Sequence, residues 1–200
     1  MISKSQLTTP QTIALFGTSA DPPTYGHLSI LTWLTTKFDR VAVWASDNPF
    51  KRDQTPLAQR TEMLKRLVSL SGKSLDQLAV YPELSFPRTI ATVEQAKQIW
   101  DNAQFTFVLG ADLLMQLPTW YQAKELLERV ELLVIPRPGY AISDDAIDRI
   151  EQLGGRLEIA DLITPNVSSS DYRNAFDAKA VPNVIQTYIA QEQLYPCPVR

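Results

Sequence analysis

The sequence predicts an α/β protein built on a Rossmann-like, doubly wound parallel sheet with helices on both faces. Strand and helix signals alternate along the 200 residues, as they do in folds of this class. Residues 13–16 form a short, continuous apolar run, which is typical of a strand buried on both faces. No repeat or linker interrupts the pattern. We therefore predict a single domain over residues 1–200, with its core at about 12–196.

The elements can be placed in order from apolar periodicity and from glycine or proline at their ends. The predicted strands are residues 13–16, 40–45, 78–81, 105–109, 131–135 and 157–160. The predicted helices start near residues 26, 57, 89, 113, 123 and 143, and two more cover 169–176 and 181–194. Ligands in such sheets bind at the carboxyl ends of the strands, so the loops that follow the strands are where functional residues are expected.

Composition narrows the class of partner. The formal net charge is −3, so no basic field predicts nucleic-acid binding. No apolar run approaches the roughly 20 residues of a membrane span, and the amino terminus lacks the apolar core of a signal peptide. The single cysteine, Cys197, has no partner for an internal disulfide, and one cysteine with one histidine cannot form a Cys/His zinc site. We expect a cytoplasmic protein without a membrane partner and without metal-ligating residues.

The loop after the first strand carries the sharpest signal. Gly17 ends the predicted strand. Residues 18–23 are small or polar residues followed by two prolines, which is typical of a turn, and a helix starts near Gly26. Helix starts offer unpaired backbone N–H groups and a positive dipole end, which favour phosphate. His27, the only histidine, lies in this first turn. A lone histidine is usually structural, but this position favours contact with a phosphate group.

Other strand-end loops hold residues with two interpretations each. Lys51 and Arg52 are either part of a solvated loop or a basic pair for a second phosphate. Asp112, which follows Gly110, either caps a short helix or binds a ribose hydroxyl. Trp120 and Tyr121 are either core residues or a stacking surface for a flat ring.

The last loop places a serine run at a helix start. Ser169 and Ser170 precede Arg173 by about one turn. They can act as a plain cap and a surface charge. Alternatively, N–H groups, hydroxyls and a guanidinium converge there on a polyphosphate.

Two of these loops resemble motifs of the nucleotidylyltransferase superfamily, whose signature is a glycine-rich strand end followed by His-x-Gly-His. The matching residues are Gly17, Ser19, Asp21, Pro22, Pro23, Gly26 and His27. Thr24 stands where the motif has its first histidine. Residues 167–173 resemble the second motif, Ile-Ser-Ser-Thr-x-x-Arg.

Further matches resemble bacterial nicotinate-nucleotide adenylyltransferases over roughly residues 12–196. They are residues 48–51 with Arg60, Gly110-Ala111-Asp112 with Trp120-Tyr121, and Arg137-Pro138-Gly139. Residues 87–89 read Pro-Arg-Thr where that family has Ser-Tyr-Thr.

This resemblance implies adenylyl transfer from ATP to nicotinate mononucleotide, giving nicotinate adenine dinucleotide and pyrophosphate, a step toward NAD. The resemblance implies catalytic roles for His27, Thr24, Lys51 and Arg173. It implies that ATP is bound by Gly17, Thr18, Ser19, Gly26, His27, Gly110, Asp112, Arg137, Ser169, Ser170 and Arg173. It implies that the mononucleotide is bound by Asn48, Lys51, Thr89, Trp120 and Tyr121. Mg²⁺ is expected to be held mainly by substrate phosphates.

Two alternatives stay open at this stage. The acceptor could be another compound, such as nicotinamide mononucleotide or pantetheine phosphate, although the matches around Asn48 and Trp120 argue against pantetheine. The protein could instead be a nucleotide-binding regulator that lost catalysis with the first histidine. The sequence also leaves a homo-oligomer open.

Overall fold

The computed structural model describes residues 10–48, 51, 53–175 and 177–195, and contains a six-stranded, all-parallel sheet in those ranges. The strands are β1 (Thr12–Thr18), β2 (Arg40–Ala45), β3 (Leu78–Val80), β4 (Gln104–Gly110), β5 (Glu131–Ile135) and β6 (Leu157–Ile159). Their order across the sheet is β3-β2-β1-β4-β5-β6. This order is that of a doubly wound sheet, the fold class that the sequence predicts.

The helices lie between the strands and after the last one. They are α1 (Tyr25–Leu34), α2 (Leu57–Ser69), α3 (Thr89–Ile99), α4 (Ala111–Leu114), α5 (Ala123–Leu127), α6 (Asp144–Gln152), α7 (Ser169–Ala175) and α8 (Asn183–Gln191). Short 3₁₀ turns precede α3, α5 and α8. None of the described helices is long and apolar enough to cross a membrane.

Alternate residues of the central strands face two separate apolar cores. In β1, Ala14 and Phe16 pack toward α1, α2 and α8, whereas Ile13 and Leu15 pack toward α3, α4 and α5. Ile13, Ala14 and Leu15 have no solvent exposure, as expected of a strand covered on both faces.

The strand order reverses between β1 and β4, which pair directly in parallel register. A crevice forms at the carboxyl ends of strands at such a reversal, because the connections leave in opposite directions. The loops after β1 and β4 open onto this point, so the fold places the first motif and the Asp112 loop side by side.

Two strands run through the glycines that the sequence predicted at or beyond their ends. β1 continues through Gly17 to Thr18 because both residues stay in register with β2, opposite Trp44 and Ala45. β4 includes Gly110, which pairs with Ile135. The glycines therefore lie inside the strand ends rather than beyond them. Phe176 and Cys197, with residues 196 and 198–200, lie outside the described residues.

Candidate active site

His27 lies in the first turn of α1, between two threonine side chains. The backbone N–H of Thr24 donates to His27 Nδ1 at 3.1 Å, and the Thr24 hydroxyl lies 2.9 Å from the same nitrogen. On the other side, His27 Nε2 lies 3.0 Å from Thr18 Oγ1. Thr24 is the N-cap of α1 and His27 is its third residue, so the pair forms a capping box in which histidine replaces the usual Glu or Gln.

These contacts define the protonation state of the imidazole. A backbone N–H can only donate, so Nδ1 accepts and Nε2 carries the proton. Nε2–H then donates to Thr18 Oγ1. Burial, with a smaller contribution from the nearby Arg137 cation, lowers the pKa of His27 from 6.5 to about 4. His27 is therefore neutral at pH 7 and offers one N–H donor.

Thr24 does not face solvent. It is 1% exposed, and its hydroxyl is directed at His27 Nδ1. The cap geometry turns the side chain back over its own helix, so that in the structure Thr24 orients His27. The catalytic role that the resemblance implies for Thr24 stays a prediction.

Two glycines of the first loop allow close packing. A Cβ on Gly17 would lie 2.7 Å from the Trp44 ring, so this position has no room for a side chain. A Cβ on Gly26 would lie 3.3 Å from Thr24 Oγ1 and 3.5 Å from the Val167 carbonyl oxygen. Gly26 thus lets the start of α1 approach the segment that leads into the serine motif.

The serine motif is bound directly to the first loop. Ser169 Oγ donates to the Pro22 carbonyl at 2.8 Å, and Arg173 Nη1 donates to the Asp21 carbonyl. Arg173 Nη2 also lies 3.4 Å from Ser170 Oγ. The structure therefore brings together the two motifs that lie about 150 residues apart in the chain.

Asp21 anchors this junction, a role that sequence analysis did not assign. It is almost fully buried, and Tyr195 donates its hydroxyl proton to Asp21 Oδ1 at 2.5 Å. The Thr55 N–H donates to Asp21 Oδ2 at 3.4 Å. Burial and the bond to Asp21 raise the pKa of Tyr195, so its proton stays in place.

Arg60 is the second functional residue that sequence analysis passed over as a site residue. It is 2% exposed, and its guanidinium donates to three backbone carbonyls: Thr55 at 2.7 Å, Ser19 at 2.9 Å and Ser46 at 2.8 Å. It therefore ties the loops after β1 and β2 together. An arginine on the apolar face of α2, at a helical spacing with Met63 and Leu64, was the available signal.

Lys51 reaches from the second loop to the first. Its Nζ donates to Ser19 Oγ at 2.7 Å. Burial lowers the pKa of Lys51; the Asp112 carboxylate opposes this, and the Arg137 and Arg173 cations reinforce it. These charged side chains therefore lie within electrostatic range of Lys51. Arg52 lies outside the described residues.

Asp112 and Arg137 form an ion pair across the loops after β4 and β5, with Arg137 Nη1 and Asp112 Oδ2 2.9 Å apart. The Asp112 carboxylate lies over Gly110, where a Cβ would meet Asp112 Oδ1 at 2.4 Å. Asp112 lies in the first turn of α4, but its side chain makes no cap hydrogen bond there. Its position between Gly110 and Arg137 leaves the ribose interpretation open.

The predicted mononucleotide residues come from three loops. Asn48 is half-buried after β2, Thr89 is the first residue of α3, and Trp120 and Tyr121 follow the turn after α4. Trp120 packs edge-on against Phe107, with ring centroids 6.1 Å apart. Tyr121 is 55% exposed, and the Arg88 guanidinium stacks on its ring at 3.8 Å.

No group of three or more His, Cys, Asp or Glu side chains able to hold a metal occurs among the described residues.

Comparisons with known proteins agree with this geometry. A family model described as cytidylyltransferase-like matches residues 15–175. The chain belongs to that family, and so to the nucleotidyltransferases that use this fold.

Its sequence relatives show to which group within that family the chain belongs. The chain is 44% identical over 196 residues to a probable nicotinate-nucleotide adenylyltransferase of Synechocystis, covering 92% of this chain and 98% of that protein. It is 30% identical over 194 residues to the Bacillus subtilis nicotinate-nucleotide adenylyltransferase, covering 92% and 97%. The chain therefore belongs to the nicotinate-nucleotide adenylyltransferase family.

A solved structure shares the fold. The Plasmodium falciparum nicotinic acid mononucleotide adenylyltransferase complexed with NaAD superposes with a TM-score of 0.78 at 20% identity, covering 92% of this chain and 97% of that one.

Proposed function

We propose that this chain transfers the adenylyl group of ATP to nicotinate mononucleotide, releasing pyrophosphate, as a step in NAD biosynthesis. Family membership supports the reaction. The observation that carries the proposal is the junction of the two motifs, where Ser169 and Arg173 bind the loop that leads into His27. A single surface of hydroxyl, imidazole and guanidinium donors results, which suits a polyphosphate.

The reaction asks for positioning rather than covalent catalysis. A phosphate oxygen of the mononucleotide forms a bond to the α-phosphorus of ATP, and the bond from that phosphorus to the bridging oxygen of the β-phosphate breaks. Pyrophosphate leaves with that oxygen. The nucleophile is already an anion, so no general base is needed. Catalysis then rests on alignment and on donors placed where negative charge develops.

In this proposal, ATP phosphates lie at the start of α1. His27 offers its Nε2–H as a hydrogen-bond donor. Thr18 Oγ1 accepts that hydrogen bond in the structure, and its own O–H group can donate to a phosphate oxygen. The backbone of Gly17, Ser19 and Gly26 lines the approach. Thr24 contributes indirectly, because its N–H and hydroxyl hold Nδ1 and so fix the direction of Nε2–H.

We assign the β- and γ-phosphates to Ser169, Ser170 and Arg173. In the structure Ser169 and Arg173 donate to carbonyls of the first loop, and Ser170 Oγ accepts from Arg173 Nη2, so the three side chains lie together beside that loop. We assign the adenosine to Gly110 and to the Asp112–Arg137 pair, whose carboxylate suits ribose hydroxyls.

We assign the mononucleotide to the other side of the cleft. Lys51 is the cation that we assign to the mononucleotide phosphate. Its hydrogen bond to Ser19 holds it beside the loop that we assign to ATP. Asn48 and Thr89 border the acceptor, and Trp120 and Tyr121 provide aromatic surface for the pyridine ring.

Mg²⁺ fits this site as a companion of the triphosphate. The described residues offer no three-ligand cluster, and the Asp112 carboxylate is already paired with Arg137. Such a donor set suits an ion bound mainly by substrate oxygens and water, which would offset the charge of the leaving pyrophosphate. We further propose that the enzyme acts in the cytoplasm. Sedimentation would measure its oligomeric state.

Pyrophosphate release tests the proposal. The full chain should release pyrophosphate only when ATP, Mg²⁺ and nicotinate mononucleotide are all present. His27→Ala should lower kcat/KM at least about tenfold, because a hydrogen bond to a charged group is lost. Arg156→Gln, a change at the opposite edge of the sheet, is the control. ATP binding without pyrophosphate release would identify a regulator instead.

A further inference from the structure

Arg88 lies beside the residues that we assign to the pyridine ring. It is the residue immediately before α3 and therefore adjoins Thr89. Its guanidinium carbon lies 3.8 Å from the centroid of the Tyr121 ring, next to Trp120. This contact joins the loop after β3 to the loop after α4, so Arg88 closes one side of the proposed acceptor site.

The guanidinium of Arg88 has no polar partner in the part of the chain that the structure describes. The other described arginines each bind a carboxylate or an oxygen of a neighbouring residue, as Arg137 binds Asp112 and Arg60 binds three carbonyls. Arg88 makes the ring contact with Tyr121 alone.

Stacking leaves the donors of Arg88 available. A guanidinium is planar, and its five N–H groups point outward in that plane. The Tyr121 ring covers one face and so restricts the orientation of the plane without using any N–H group. A planar, pre-oriented fork of this kind matches a carboxylate, which it can bind with two parallel hydrogen bonds.

We propose that Arg88 binds the carboxylate of nicotinate mononucleotide and makes the enzyme select the acid over the amide. The inference rests on the proposed function. Nicotinate and nicotinamide mononucleotides share the ribose phosphate and the positively charged ring. They differ at one substituent, which is an anionic carboxylate in the first and a neutral carboxamide in the second. A cation at this edge of the ring raises the affinity for the acid over that for the amide, because the charges that the two mononucleotides share contribute equally to the binding of both.

Steady-state kinetics with both mononucleotides test the assignment in the full chain. Arg88→Gln removes the charge from an exposed side chain, so the fold should survive, which a melting curve checks. We expect kcat/KM for nicotinate mononucleotide to fall at least about tenfold, as for loss of a charged hydrogen bond, and kcat/KM for nicotinamide mononucleotide to change less than about twofold. Arg88→Lys should retain part of the preference. Arg156→Gln, another exposed arginine, should leave both values unchanged.

Equilibrium binding separates failure of this inference from failure of the proposed function. Dissociation constants of the two mononucleotides, measured by calorimetry, do not need turnover. A drop in the preference for the acid in Arg88→Gln supports the assignment even if no pyrophosphate is released. The assignment is overturned if the ratio of the values for the acid and the amide is the same in Arg88→Gln as in the parent, for kcat/KM and for the dissociation constants. An equal loss of affinity for the two mononucleotides is one such result.

Discussion

At the scale of single residues, His27 acts in this account as a neutral donor rather than as a cation. Its Nδ1 is occupied by the Thr24 N–H, so a second proton on that nitrogen would face a donor. Burial opposes the charged form as well. In the proposed mechanism, Arg173 and Mg²⁺ would then supply the positive charge for the triphosphate, and His27 would supply an oriented N–H donor.

An NMR titration of His27 checks this state without ambiguity, since the sequence has one histidine. We expect a pKa of about 4 instead of 6.5, and a spectrum of the Nε2–H tautomer at pH 7. A pKa near 6.5 would contradict the burial and the contact to the Thr24 N–H.

The same shift has a consequence for stability. Between pH 6.5 and about 4 the unfolded chain takes up a proton that folded His27 does not, so the free energy of unfolding falls as the pH drops through this window. Above pH 6.5 the contribution is complete. From pH 7 to pH 5 the loss due to His27 is about 2 kcal/mol. The His27→Gln variant has no titratable side chain at this position. Between pH 7 and pH 5 its free energy of unfolding should therefore fall by about 2 kcal/mol less than that of the parent.

Thr24→Val tests the positioning role of the hydroxyl. The backbone N–H still binds Nδ1, but the second contact at 2.9 Å is lost. A neutral hydrogen bond contributes roughly 0.5–1.5 kcal/mol, so we expect kcat/KM to fall about two- to tenfold. Thr24→Ser keeps the hydroxyl and is the matched control, expected to stay near the parent. Equal activity of the valine variant and the parent would remove the hydroxyl from the mechanism.

At the scale of the elements, Arg60 of α2 fixes the loops after β1 and β2 relative to one another. Its three carbonyl acceptors belong to half-buried residues, where a hydrogen-bond donor is needed in place of water. Because Ser19 is also the partner of Lys51, the position of Lys51 in the cleft depends on this arrangement.

Arg60→Met keeps the length of the apolar stem and removes the donors. We expect the free energy of unfolding to fall by roughly 1–3 kcal/mol, because half-buried carbonyls lose their hydrogen-bond donor, and KM for ATP to rise in the protein that remains folded. Thermal melts and kinetics measure the two effects. Arg66→Met, on the same helix but paired with Glu62, is the control and should change stability much less. A variant with unchanged melting and KM would show that Arg60 does not hold these loops.

The elements were largely predictable from the sequence, and the side-chain partners were not. Continuous apolar runs and helical spacing placed every strand and helix within a few residues, because burial imposes those patterns. The ends of β1 and β4 differed, since pairing with β2 and β5 extends a strand through a glycine. Arg60 was missed as a site residue because an arginine inside an apolar helix face reveals its partners only once the loops are placed. The turn of Thr24 toward His27 depends likewise on cap geometry.

At the scale of the whole molecule, distant parts of the chain meet at one edge of the sheet. Tyr195 binds Asp21, Ser169 binds Pro22, and the reversal between β1 and β4 opens the crevice beside them. The sequence predicted a doubly wound parallel sheet, and with it the carboxyl edge as the place of the site; the strand order came from the structure. It could not predict that Asp21 is buried as the anchor of the C-terminal segment, since that contact joins residues 174 positions apart.

Product analysis of a mixed reaction tests the central claim most directly. The full chain is incubated with ATP, Mg²⁺ and equal amounts of nicotinate and nicotinamide mononucleotides, and the two dinucleotides are separated and counted. We expect nicotinate adenine dinucleotide in at least about tenfold excess over the nicotinamide dinucleotide, with the two products together equal in amount to the pyrophosphate released. An excess of the nicotinamide dinucleotide, or no dinucleotide from a protein that binds ATP, would contradict it.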